Sequence, residues 1–78
     1  MDLMMLSELK PGEACEIREL RLYGGMRRRL RDLGLLPGVR LQCAFTAPSG
    51  SPMAFWVKGA MIALRKNDCK RIAGYRCA

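Results

Sequence analysis

The chain has 78 residues, 50% of them apolar and 27% charged, which is the composition of an ordinary globular domain with one hydrophobic core. Fourteen Lys and Arg against seven Asp and Glu give a net charge of +7, and the absence of His excludes imidazole catalysis and mixed Cys/His zinc sites. We therefore expect a single domain over residues 1–78 that is not an enzyme and holds no cofactor or metal.

The first half of the chain predicts a helical turn, a strand and a helix. Residues 6–12 are typical of a single helical turn that ends at a Pro-Gly pair. Residues 14–20 alternate between apolar and polar side chains, which predicts a strand. Over residues 24–33 the apolar residues fall on one side of a helical wheel. The other side is basic and carries Arg27, Arg28 and Arg31.

The second half predicts four further strands, at residues 39–47, 53–57, 60–64 and 71–75, with one helical turn at 66–68. In the first of these, Phe45 falls on the apolar side of the alternation. The predicted fold class is therefore mainly β: a small, partly open five-stranded barrel with one short α-helix between the first two strands.

The four cysteines lack the close spacing of zinc knuckles and redox motifs, so we expect reduced thiols. Packing is the leading interpretation for Cys15 and Cys43, which fall in apolar-periodic segments. Cys69 and Cys77 have basic neighbours that favour thiolate, so exposure, reactivity and soft-metal capture all stay open for them. We find no leader sequence and no run of apolar residues long enough to cross a bilayer, and we expect a cytoplasmic location.

The positive charge lies in two blocks. Residues 18–40 carry seven basic and two acidic side chains, and residues 58–78 carry six basic and one acidic. Such blocks attract polyanions, acidic protein surfaces or an anionic membrane leaflet, and the simplest alternative is a solvated surface.

One set of motifs extends along nearly the whole chain and comprises residues 6–12, 29–38 and 59–65, with Pro48, Gly50, Pro52 and Ile72. Taken together, these motifs resemble the FeoA family of small cytoplasmic partners of the bacterial ferrous-iron transporter FeoB. The resemblance implies an SH3-like barrel and a non-catalytic accessory protein for FeoB-dependent ferrous iron uptake. It also implies protein–protein interaction with the transporter at the inner face of the cytoplasmic membrane, either by binding the cytosolic GTPase region or by assembling the complex.

Candidate partner-binding residues come from the hairpin region and from the helix. SH3-like barrels bind through loops and an exposed groove, so exposed apolar side chains beside the hairpin are the first candidates. A core or strand-face position is an equal alternative for Trp56, and a role at the barrel rim is the favoured alternative for Arg65. The candidates are Arg27, Arg28, Arg31, Met53, Phe55, Trp56, Met61 and Arg65.

The main alternative function is nucleic-acid binding, since phosphate contacts need only Lys and Arg along a track. Three aromatic residues, Phe45, Phe55 and Trp56, lie in the neutral segment rather than in the basic blocks, which weakens the case for base stacking along the charge. Iron binding by the chain itself ranks lower, because ferrous iron prefers oxygen and imidazole ligands. Membrane association is expected only through the partner. A free edge strand leaves a homodimer open.

Overall fold

Six antiparallel strands form one sheet in the computed structural model, which describes residues 2–77. The two ends of the predicted domain, residues 1 and 78, lie outside the described residues. Along the sheet the strands follow the order β1-β6-β2-β3-β4-β5. A 3-10 turn at Leu6–Glu8 follows the first strand. The elements are β1 Leu3–Met5, β2 Ala14–Leu20, α1 Gly24–Asp32, β3 Arg40–Thr46, β4 Met53–Val57, β5 Ala60–Leu64, α2 Lys66–Cys69 and β6 Ile72–Cys77.

The prediction of five strands is wrong by one, because β1 was not expected. β1 pairs with β6, with Leu3 opposite Tyr75 and Met5 opposite Ala73. Three apolar residues cannot display an alternating pattern, so this strand exists only through its pairing partner. The helix α1 consequently lies between the second and third strands rather than between the first two. The five predicted strands themselves match the structure to within two residues at each end.

All six strands contribute side chains to one core. Phe55, Ile17 and Ile72 are almost completely buried in it, and Leu30 from α1 covers the same cluster. Since a single sheet surrounds this cluster, the sheet must curl around it. Within residues 2–77 no helix has the length and apolar character needed to cross a membrane.

A β-bulge in β3 changes which side chains face the core. Cys43 lies opposite Phe55 on β4, but the next paired residue is Phe45, opposite Ala54, so Ala44 is an extra residue in the strand. Because directly opposed residues share a face and successive residues alternate, the extra residue turns Phe45 outward. The predicted inward position of Phe45 is therefore wrong, and its side chain is 49% exposed.

The strands β4 and β5 are joined by a two-residue turn, Lys58-Gly59. Lys58 has φ 50° and Gly59 has φ 81°. Two positive φ values identify a type I′ turn, in which glycine is favoured because L side chains disfavour this conformation. The tight turn fixes the register of the hairpin, and Val57 lies opposite Ala60.

Candidate interaction surface

The outer side of β3, β4 and β5 carries large apolar side chains. Trp56 lies opposite Met61, and in the neighbouring row Ala54 lies opposite both Phe45 and Ala63. Three of these side chains are exposed to a similar extent, Phe45 at 49%, Trp56 at 45% and Met61 at 47%. We call Phe45, Trp56, Met61 and Ala63 the apolar face. Adjoining exposed apolar side chains of this kind are typical of contact surfaces.

Two of the predicted contact residues, Met53 and Phe55, lie in the core instead. Met53 is 2% exposed and Phe55 is 0% exposed, so the prediction that they form part of an exposed surface is wrong. All five residues of β4 are apolar, and the sequence therefore gives no sign of which of them point inward. Trp56 and Met61 are exposed as predicted, so Trp56 is not a core residue, and its place on the outer side of β4 agrees with the alternative of a strand-face aromatic.

The helix α1 presents a basic face to solvent. Arg27, Arg28 and Arg31 line a wide, open depression of about 520 Å³ together with Gly24, Asp32 and Leu36. The ion pairs found in residues 2–77 join Arg21 to Glu19 and Arg76 to Glu13, so none of them involves this face. The basic face therefore keeps its positive charge and favours anionic partners.

A narrower groove of about 250 Å³ runs between α1 and the end of β5. Leu33, Ala63 and Arg65 line it, so the groove continues the apolar face towards the helix. The carbonyl of Arg65 accepts hydrogen bonds from the N–H groups of Asp68 at 3.0 Å and Cys69 at 3.1 Å, which holds the turn of α2. The exposed Arg65 guanidinium makes no hydrogen bond or ion pair with the part of the chain described, so the contact expected of its side chain at the barrel rim is absent there.

The thiols are mostly buried and protonated. Burial raises the pKa of Cys15 to about 11 and that of Cys69 to about 12, and burial also raises the pKa of Cys43. Cys69 is therefore a packing residue like Cys15 and Cys43, while Cys77 is half-buried. Among residues 2–77, no three side chains of the metal-ligating types lie close enough together to hold an ion.

Four exposed apolar residues were not identified from the sequence, and one of them is Leu3 on β1, which is 46% exposed. Phe45 was assigned to the core because the bulge leaves no signal in the alternation. Leu33 was assigned to the buried side of the helix, but it caps the end of α1 and is 43% exposed. Tyr23 precedes the glycines at the start of α1 and is 82% exposed. The adjacent Gly-Gly pair was the one sequence signal that placed Tyr23 outside a strand.

The comparisons with known proteins agree on one family. A family model described as the FeoA domain matches residues 4–75. The solution structure of the FeoA protein from Chlorobium tepidum is 36% identical, with a TM-score of 0.91, over 96% of this chain and 71% of that chain. A zinc complex of FeoA from Stenotrophomonas maltophilia is 29% identical, with a TM-score of 0.73, over 91% of this chain and 88% of that chain.

The Stenotrophomonas protein is described as a prokaryotic SH3 domain protein and as a candidate activating factor for ferrous iron transport. Its likeness supports an SH3-like architecture for the six-stranded sheet. A more distant likeness shows the fold alone: IdeR from T. acidophilum is 16% identical, with a TM-score of 0.83, over 96% of this chain and 34% of that chain. None of the curated proteins matches the sequence significantly.

Proposed function

The chain belongs to the FeoA family, which is linked to ferrous iron transport, and we propose from this premise that it is a non-catalytic accessory protein of FeoB-dependent ferrous iron uptake. It acts by binding the cytosolic GTPase region of a FeoB-type transporter. The observation that carries the proposal is the family match over residues 4–75.

The apolar face supports a role in protein–protein contact. Phe45, Trp56 and Met61 are each nearly half exposed, although more than half of the large apolar side chains of this small protein are buried. Aromatic residues and Met are enriched at protein interfaces, where they lose the remaining contact with water. The groove beside Arg65 adds a charged rim to this apolar area.

The proposed location is the cytoplasm, at the inner face of the membrane that holds the transporter. The net charge of +7 favours approach to an anionic leaflet. We assign membrane association to the transporter rather than to a direct anchor, because the charge attracts but supplies no insertion of apolar side chains.

Uptake of radiolabelled ferrous iron by a deletion strain tests the proposal. We expect uptake to fall on deletion and to return when the wild-type chain is expressed. The variant Trp56→Ser should fail to restore uptake, and Leu3→Ser serves as its matched control because Leu3 is 46% exposed against 45% for Trp56. Full uptake in the deletion strain contradicts the proposal.

Titration of the isotope-labelled protein with the soluble GTPase region tests the contact itself. Chemical-shift changes should gather on the apolar face and weaken in Trp56→Ser but not in Leu3→Ser. A spectrum that stays unchanged at saturating partner concentration contradicts direct binding, whatever the uptake experiment gives.

Nucleic-acid binding is the second candidate function, and the structure supplies one observation in its favour. Arg27, Arg28 and Arg31 share one exposed depression that Gly24 also lines, and the neighbouring Tyr23 is 82% exposed. Guanidinium groups beside an exposed aromatic ring are the combination that binds phosphates and stacks on bases. Filter binding to single-stranded RNA and DNA at low salt tests it: binding must weaken steeply as salt rises. No retention at low salt eliminates this candidate.

A further inference from the structure

The free edge of β5 is one part of the fold with unused hydrogen-bonding capacity. In a two-residue hairpin the pair that closes the turn, here Val57 and Ala60, is joined by two hydrogen bonds, and such pairs then alternate along the strands. Ile62 and Leu64 therefore also bond to β4. The N–H and C=O groups of the residues between them, Met61 and Ala63, point away from β4.

These outward groups have no hydrogen-bond partner in the described chain, and the groove beside α1 leaves space next to Ala63. β5 is the last strand of the sheet, and β4 is its one neighbour among residues 2–77. Neither Met61 nor Ala63 takes part in a turn, loop or side-chain hydrogen bond there, and both side chains are exposed. The edge thus offers two donors and two acceptors, which is what an added strand requires.

The strand also lacks the features that usually protect an edge. Ala60–Leu64 contains no charged residue and no proline, and its register with β4 is continuous, without a bulge. Exposed edges are normally blunted by such features because a bare edge recruits other chains. An apolar, regular and unprotected edge next to the apolar face is therefore suited to a specific occupant.

Charge at the two ends of β5 selects the kind of occupant. Lys58 precedes the strand, and Arg65 and Lys66 follow it. None of the three takes part in the ion pairs of residues 2–77. A second copy paired antiparallel about Ile62 would place Lys58 of one chain opposite Lys66 of the other, which is repulsive. A segment with acidic ends would be attracted at both positions.

We propose that the free edge of β5 binds an extended, acidic-ended segment of a partner protein as an added antiparallel strand. Residues of the segment opposite Met61 and Ala63 share their side of the sheet, so apolar residues at these alternate positions extend the apolar face. The inference deepens the proposed function and rests on it, since the partner protein is the transporter. Its test uses a synthetic peptide, so failure of strand addition at β5 can be distinguished from failure of the proposed function.

The probe is the peptide Glu-Glu-Val-Thr-Val-Thr-Val-Glu-Glu, and its matched control has Lys in place of every Glu. Hydrogen exchange of individual amides, followed by NMR on the full chain, is the readout. The acidic peptide should slow exchange at Met61 and Ala63 and leave Ile62, whose amide already bonds to β4, unchanged. The lysine peptide should have no such effect.

Two variants, with one control, test whether the peptide binds to the β5 edge itself and to the charge at its end. Ala63→Pro removes one outward donor and no bond to β4, and it should weaken acidic-peptide binding about fivefold or more. Arg65→Glu should weaken the acidic peptide and strengthen the lysine peptide. Arg18→Glu, which makes the same charge change at an exposed position of β2, should alter neither affinity appreciably. The amide spectrum of each variant first establishes that it is folded.

Clear results overturn the inference. Binding of the acidic peptide with unchanged exchange at Met61 and Ala63, or with shifts confined to the basic face of α1, assigns the binding to another surface. Wild-type affinity in folded Ala63→Pro excludes strand addition. Slowed exchange at the same amides on raising protein concentration alone, without peptide, assigns the edge to a second copy of this chain. If the chain still binds the transporter but does not bind the peptide, strand addition at β5 is refuted and the proposed function is unaffected.

Discussion

Gly74→Ala is expected to destabilise the protein by about 2–3 kcal/mol, because β2 and β6 approach each other too closely at this point for a side chain. A Cβ atom on Gly74 would lie 2.5 Å from the carbonyl oxygen of Glu16 and 3.2 Å from Sγ of Cys15. The thiol can turn aside, but the carbonyl belongs to the backbone of β2, which pairs with β6 here. These two neighbouring strands must separate to admit the methyl group.

The expected loss of stability follows from the steric clash, and the expected fall in melting temperature follows from the small total stability of the domain. Overpacking of a core costs about 1–3 kcal/mol, and contact with backbone rather than with a flexible side chain places this substitution in the upper part of that range. At about 0.05–0.15 kcal/mol per residue, a chain of this length has about 4–12 kcal/mol in total. The melting temperature should fall by about 10–20 °C.

Thermal unfolding monitored by circular dichroism measures the effect, and Gly25→Ala is the control. A Cβ atom on Gly25 meets nothing within 4 Å, and Gly25 lies in the first turn of α1. This control should be neutral or stabilising by up to about 1 kcal/mol, because Ala is the better helix former. A melting temperature of Gly74→Ala within about 3 °C of wild type would refute the close approach of β2 and β6.

Three further substitutions and conditions test other parts of the structure. Phe55→Ala should cost about 3–5 kcal/mol, and Trp56→Ala less than half as much, since 45% of Trp56 is already exposed; equal urea unfolding midpoints would contradict the assigned facing of β4. Burial raises the pKa of Cys15 to about 11 and that of Cys69 to about 12, from 9.0 for an exposed thiol. As pH rises, the unfolded chain therefore loses these protons before the folded chain does. The stability that the two buried thiols contribute is lost as pH rises from 9.0 through these pKa values. The urea midpoint of the wild type should fall more over this window than that of Cys69→Ala. Lys58→Asn should stabilise the hairpin by about 0.5–1 kcal/mol because Asn tolerates positive φ better than Lys, and an unchanged or lower melting temperature would contradict the type I′ turn.

The strands that face the core on one side could be predicted from the sequence because their alternation is visible. In β2, Cys15 and Ile17 are buried while Glu16 and Arg18 are exposed, as the pattern indicates. The helix α1 could be predicted for the same reason, and its basic face lies in solvent as expected. In these elements the contrast between apolar and polar neighbours shows which side faces the core.

Other features could not be predicted, because the same contrast is missing there. The strand β4 is apolar throughout, so Met53 and Phe55 could not be told apart from Trp56. β1 has three residues and depends on β6 for its existence. Half of the candidate apolar contact residues therefore proved to be core, and Phe45, which does belong to the apolar face, was missed.

Because of the bulge at Ala44, the position of Phe45 on the apolar face depends on the number of residues in β3 rather than on which residues they are. Removal of that one residue would return Phe45 to the interior and leave a smaller aromatic surface, with no other residue replaced. An insertion or deletion in this strand is therefore a greater evolutionary step than most single replacements within it. Among homologous chains, strand length at this position becomes a marker of which face meets a partner.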